Sequence, residues 1–269
     1  MGVKVCLDAG HYAKYNQSPA NKSYYESDMV WRLHLLLKLE LEKYGVNVIT
    51  TRKEQHIDLG VYNRGVASKG CDFFISLHSN AAGNCTDESV DYPVAYVLLN
   101  GSSSELGAKL AKVVERVMGT KQPGRTSTRR GSNGEYYGVL RGADAVSTPA
   151  IILEHSFHTN TATTNWLLND ANLMKLASAE AECIAEYYGL KKKSDATSFK
   201  PYPVRVSIRN LNIRKGPGTN YGTIGKYTGE GVFTIVDEVE GKGATKWGLL
   251  KSYADNRNGW ISLDYAEKI

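Results

Sequence analysis

Apolar residues recur at helical spacing as far as Gly189 and not beyond it, and this break constrains the fold more than any other feature of the sequence. Before the break, strand-like and helix-like stretches alternate. "VKVCLDAG" is an apolar run closed by Gly10. In "SDMVWRLHLLLKLELEKYG", Val30, Leu33, Leu37 and Leu41 fall on one helical face, and Gly45 stops the helix. "VNVITTR", "DFFISLHSN", "VAYVLLNG" and "PAIILEHS" read as further strands. "LGVYNRGVASKG", "SELGAKLAKVVERVMG" and "NLMKLASAEAECIAEYYG" read as further helices. Strands separated by helices imply an α/β fold, a mostly parallel twisted sheet flanked by helices on both faces, over residues 1–189.

After Gly189 the composition changes. Residues 190–203, "LKKKSDATSFKPYP", are charged, small and Pro-bearing, as in a linker. From Val204 to Ile269 the pieces "VRVSIRNLNIR", "GTIGKYT", "VFTIVDEV", "WGLLKS" and "GWISLD" are short, strand-like and divided by Gly-rich turns. They predict a small all-β barrel or sandwich of antiparallel strands.

Bulk properties remove several classes. Of 269 residues, 42% are hydrophobic and 23% charged, as in an ordinary globular protein, and no apolar run approaches the ~18 residues of a membrane span. A net charge of +5 without a concentrated basic patch gives no reason to expect nucleic acid as a partner. The opening "MGVKVCLDAGH" lacks the charged, apolar and small-residue regions of a signal peptide, so the chain is expected to be made in the cytoplasm. Cys6, Cys71, Cys85 and Cys183 show no CxxC spacing, and Cys6 and Cys71 fall in or beside strands, where reduced core thiols are expected.

Three of the strands end in ionisable groups. "VCLDAGH" delivers His11, "FFISLHSN" delivers His78, and "AIILEHS" delivers Glu154 and His155. In open α/β sheets the site lies beyond the C-terminal strand ends, so neighbouring strands would bring these groups together. A catalytic zinc takes three protein ligands and leaves one position open. His11 and His78 supply two. Glu26, in "YYESD" at the mouth of the first long helix, is the third candidate, placed where the helix dipole favours a carboxylate. Zinc lowers the pKa of water to roughly 7, and a separate carboxylate, Glu154, is placed to take the proton. His155 and His158 lie near enough to Glu154 to be mistaken for ligands, but strand alternation sends Glu154 and His155 to opposite faces.

These segments occur in a recognisable order. "VCLDAGH", the Glu before "SDMVWRLHLLLKLELEKYGVNVITTR", "LGVYNRGVASKGCDFFISLHSNA" and "YGVLRGADAVSTPAIILEHSFHTN" together resemble the zinc-dependent N-acetylmuramoyl-L-alanine amidases of amidase type 3, over about residues 1–188. The resemblance implies Zn²⁺ bound by His11, Glu26 and His78, with Glu154 as the catalytic acid and base. It implies cleavage, in bacterial peptidoglycan, of the amide between N-acetylmuramic acid and L-alanine of the stem peptide. Asn80, in the same motif as His78, is the candidate substrate contact. "LNIRKGPGTNYGTIGKYTGEGVFTIVDEV", with "WGLLKS" and "GWISLDYAEKI", is similar to bacterial SH3 domains, which commonly bind the cell wall; Trp247, Trp260 and Tyr265 are its candidate ligand aromatics. A wall hydrolase without an export signal would act after release, as a phage endolysin or a bacterial autolysin.

The chain departs from the family where "YAKYNQSPANKSYY" replaces a Gly-rich stretch after His11, and where His155 replaces a small or apolar residue. Two other classes are carried forward. A cysteine-histidine wall peptidase would need an exposed thiolate beside a histidine. A non-catalytic wall-binding protein would keep the fold without the chemistry. Nothing in the pattern speaks to oligomeric state.

Overall fold

The computed structural model describes residues 2–132, 134–192, 199–251 and 259–269. The chain divides into two compact units, Met1–Lys193 and Ser194–Ile269. Of the stretch 190–203, residues 193–198 lie outside the described residues.

The first unit contains β1 (Lys4–Ala9), α1 (Glu26–Glu42), β2 (Asn47–Thr50), α2 (Val61–Val66), β3 (Phe73–Asn80), β4 (Val94–Val97), α3 (Ser104–Met118), β5 (Arg125–Ser127), β6 (Arg130–Gly131), β7 (Gly134–Glu135), α4 (Gly138–Ala145), β8 (Ala150–Phe157), α5 (Thr161–Leu167) and α6 (Asp170–Tyr187). Its main sheet has the order β2-β1-β3-β8-β4-β5. The strands β2, β1, β3 and β8 are parallel, whereas β4 runs antiparallel to β8 and carries β5 parallel to itself. The sheet is thus mixed. The four-residue β4 is apolar at both ends, a pattern that does not encode direction.

Alternation along the strands builds two cores. Val5, Leu7, Phe73, Ile75, Leu77, Ile151 and Leu153 pack on one face against Leu33 and Leu37 of α1, Leu106 and Leu110 of α3, and Leu176 and Ile184 of α6. Cys6, Phe74, Ala150 and Ile152 pack on the other against Val139, Leu140 and Ala143 of α4. Helices α2 and α4 approach closely because both offer glycine: a Cβ on Gly65 would lie 2.0 Å from the Val139 carbonyl, and one on Gly142 would lie 2.0 Å from the Tyr62 carbonyl. Among the described residues no helix is long and apolar enough to cross a membrane.

The second unit contains β9 (Tyr202–Val206), β10 (Asn212–Arg214), β11 (Thr223–Tyr227), β12 (Gly231–Gly241), β13 (Ala244–Leu250), β14 (Trp260–Ser262) and β15 (Ala266–Lys268). They form an antiparallel sheet of order β11-β10-β14-β13-β12-β9-β15. The run "VRVSIRNLNIR" is two strands rather than one, since backbone pairing lapses between Val206 and Asn212. Val204, Val206, Leu211, Ile213, Ile235, Leu250 and Ile261 form the core of this unit. Trp247 is buried, whereas Tyr265 is exposed.

Candidate metal centre

The site lies past the C-terminal ends of β1, β3 and β8. Strand β1 ends at Ala9, and the chain turns sharply through Gly10 into His11, which adopts a left-handed φ of 57°. Gly10 is required here. A Cβ on it would lie 2.3 Å from Cε1 of His78, so the imidazole of β3 packs directly on the β1 backbone. Glu26 opens α1, and its carboxylate is buried. One oxygen, Oε1, lies 2.8 Å from Nδ1 of His78 and accepts from the Ser79 N–H at 3.0 Å. The other, Oε2, lies 3.2 Å from Nε2 of His11 and accepts from Asn16 Nδ2 at 2.7 Å. One ligand atom each from His11, Glu26 and His78 falls within 4.8 Å of the others. The sequence-derived triplet therefore converges, and two imidazoles plus a carboxylate match the donor chemistry of a catalytic zinc.

The electrostatics favour a charged Glu26. Burial opposes its charge, but the hydrogen bonds and attraction of His11 and His78 outweigh that and hold its carboxyl well below the usual range. Glu154 shows the opposite. Burial first, and then repulsion from Glu26, push its carboxyl well above the usual range. It pairs in register with His78 across β3 and β8, so it stands next to the triplet. Its Oε2 is a buried atom with no hydrogen-bond partner. A lone carboxylate oxygen facing a polar cluster is an acceptor awaiting a ligand.

The neighbouring histidines are accounted for elsewhere. His155 points to the opposite face of β8, where Nε2 meets Oε1 of Glu180 on α6 at 2.8 Å and Nδ1 meets the His78 carbonyl at 2.8 Å. His158 packs on Tyr24, with Nδ1 at 2.9 Å from Ser79 Oγ and 3.9 Å from Glu26 Oε2; burial lowers its pKa. Asn80 ends β3, but its Oδ1 is taken by the next backbone N–H, of Ala81, at 2.8 Å. Cys6 and Cys71 are buried; their mutual hydrogen bond together with burial pushes the Cys6 thiol up, so Cys6 does not resemble an activated nucleophile, while the same hydrogen bond lowers the Cys71 thiol. Cys85 is exposed.

Sequence reasoning missed Asn16. Its amide reaches Glu26 Oε2 and lies 3.2 Å from His11 Nε2, and its backbone carbonyl accepts from the Glu26 N–H. The stretch that departs from the Gly-rich pattern thus folds back onto the mouth of α1. A cleft of about 400 Å³ opens beside the cluster, lined by His11, Tyr12, Tyr15, Val61, Arg64 and His78 among others.

Comparison with known proteins gives the chain relatives in sequence and in fold. Residues 5–186 match the family described as N-acetylmuramoyl-L-alanine amidase. The chain is 30% identical over 202 residues to the endolysin of Bacillus phage SPP1, covering 74% of this chain and 71% of that one. It is 24% identical over 201 residues to the sporulation-specific N-acetylmuramoyl-L-alanine amidase of Bacillus subtilis (strain 168), covering 74% and 73%. The fold is shared with the catalytic domain of CwlV, an amidase of Bacillus (Paenibacillus) polymyxa var. colistinus, at a TM-score of 0.59 and 20% identity, over 70% of this chain and 99% of that one. With the matched region spanning most of the sequence and containing every strand that builds the site, the chain belongs to the N-acetylmuramoyl-L-alanine amidase family.

Proposed function

We infer that this protein is a zinc-dependent peptidoglycan hydrolase that cleaves the amide between N-acetylmuramic acid and the L-alanine of the stem peptide. The reading is carried by one observation: three donors, His11, Glu26 and His78, converge beside a carboxylate, Glu154, whose inner oxygen has no partner. Zinc, when bound by these three residues, supplies Lewis acidity that polarises a carbonyl and acidifies water. Glu154 takes the proton of the attacking water and returns it to the departing alanine nitrogen. Its raised pKa suits both duties. The larger cause, burial, persists even where a dication offsets the charge of Glu26. Asn16 and the Ser79 N–H hold the Glu26 carboxylate in place. The second unit is read as an SH3-like domain that binds the wall and holds the enzyme on its insoluble substrate.

The test is digestion of purified Gram-positive peptidoglycan with and without a chelator, followed by zinc add-back. New N-terminal alanine and new reducing sugar ends are scored separately. The reading expects alanine N-termini, lost with chelator and restored by zinc. Chelator-resistant cleavage, or reducing ends without alanine, would overturn it.

A further inference from the structure

Behind His78, on the side away from Glu26, lies a chain of buried polar groups that the catalytic reading does not use. Strand alternation puts Ser76 on the same face of β3 as His78, and the β1–β3 register places Asp8 opposite Ser76. Ser76 Oγ donates to Asp8 Oδ2 at 2.7 Å. The same Oγ lies 3.2 Å from Nε2 of His78. Thr51 Oγ1 donates to the other Asp8 oxygen at 2.6 Å, and Arg64 Nη1 lies 3.9 Å from Oδ2. Asp8 and Ser76 are buried, at 1% and 0% exposure.

Donor and acceptor counting gives this chain a direction. A carboxylate only accepts, so the single Ser76 hydroxyl proton goes to Asp8. The Ser76 oxygen then presents lone pairs to His78, and His78 Nε2 must carry the hydrogen. Nδ1 faces Oε1 of the charged Glu26 at 2.8 Å, so without metal it carries a hydrogen as well; a metal takes the place of that hydrogen, while Nε2–H stays on Ser76. We propose that Asp8 and Ser76 are positioning residues that fix the tautomer of His78 and make Nδ1 its metal-binding nitrogen. His11 presents the other nitrogen, Nε2, to Glu26. Partners of this kind on the far side of a ligating imidazole typically carry ~10–100-fold in metal affinity. The proposal rests on the reading of His78 as a zinc ligand.

The experiment compares zinc affinity, by competition with a chromophoric chelator, for the full-length wild type, Ser76→Ala and Thr148→Ala. Thr148 is a control: its buried hydroxyl donates to the Ser68 carbonyl at 3.0 Å, outside this chain of groups. Ser76→Ala should bind zinc ~10–100-fold more weakly, while Thr148→Ala loses thermal stability without a change in zinc affinity. In parallel, ¹⁵N-edited imidazole spectra of the zinc-loaded wild type should show His78 protonated at Nε2 and coordinated through Nδ1. This second readout needs no substitution and holds even where Ser76→Ala does not fold. Wild-type affinity in Ser76→Ala, or zinc on Nε2 of His78, overturns the proposal and leaves the amidase reading standing. A wild type that binds no zinc overturns both.

Discussion

The chemistry at Glu154 comes from its surroundings. Burial, and then the charge of Glu26 beside it, raise the Glu154 carboxyl well above the usual carboxylate range, the direction an acid-base catalyst requires. Glu154→Gln keeps the shape and removes the proton transfer. It should lower kcat/KM by ~10²–10⁴, with zinc content unchanged by elemental analysis. Gly10 has an equally specific prediction. Gly10→Ala would drive a methyl into the His78 ring, so zinc binding should fall sharply while the far-UV circular dichroism is retained. Glycine is usually credited with conformational freedom; here it supplies room.

At the scale of elements, buried titratable groups tie helices to the sheet. His155 of β8 and Glu180 of α6 are wholly buried and meet at 2.8 Å. Removing one member of such a pair leaves the other uncompensated, so Glu180→Ala should destabilise the fold by ~3–5 kcal/mol in urea titrations. His34 of α1 behaves differently. Burial lowers its pKa from 6.5 to about 4, so the folded protein holds it neutral. The unfolded chain takes up a proton first as pH falls. The stabilisation is therefore complete above about pH 6.5 and drains away down to about pH 4, by at most ~3 kcal/mol. His34→Leu should flatten that slope in unfolding measured across the interval. The long elements were legible in the sequence because their periods are long: α1, α3 and α6 all show apolar faces repeated over several turns. Two short helices, α4 and α5, were not. Helix α4 contains Gly138 and Gly142, and α5 has only 7 residues, with Asn160 capping it, so neither accumulates a period. His11, Glu26, His78 and Glu154 stood out because ionisable groups at the ends of apolar runs need a reason. Ser76 and Asp8 did not, because a small hydroxyl or a lone acid inside a strand looks unremarkable until strand register is known. Asn16 lies in a loop whose return to α1 no local pattern announces.

At the scale of the molecule, the two units keep separate hydrophobic cores. Calorimetry should then show two transitions. Zinc at a thousand times its Kd should raise the one belonging to residues 1–193, by about 4 kcal/mol, and leave the other in place. A single transition that zinc moves as a whole would contradict the independence of the cores. The ends of the main sheet carry a different consequence. Its outermost strands are β2, with 4 residues, and β5, with 3. Along β5, Arg125 lies over the ring of Tyr92 at 3.7 Å, which sets a fixed cation on the exposed rim. Short rims, the β5 one charged as well, give a second copy little backbone to zip onto. A protein built this way can be concentrated many-fold on a surface without its sheets joining into aggregates, which is the condition any enzyme faces when it crowds onto an insoluble polymer.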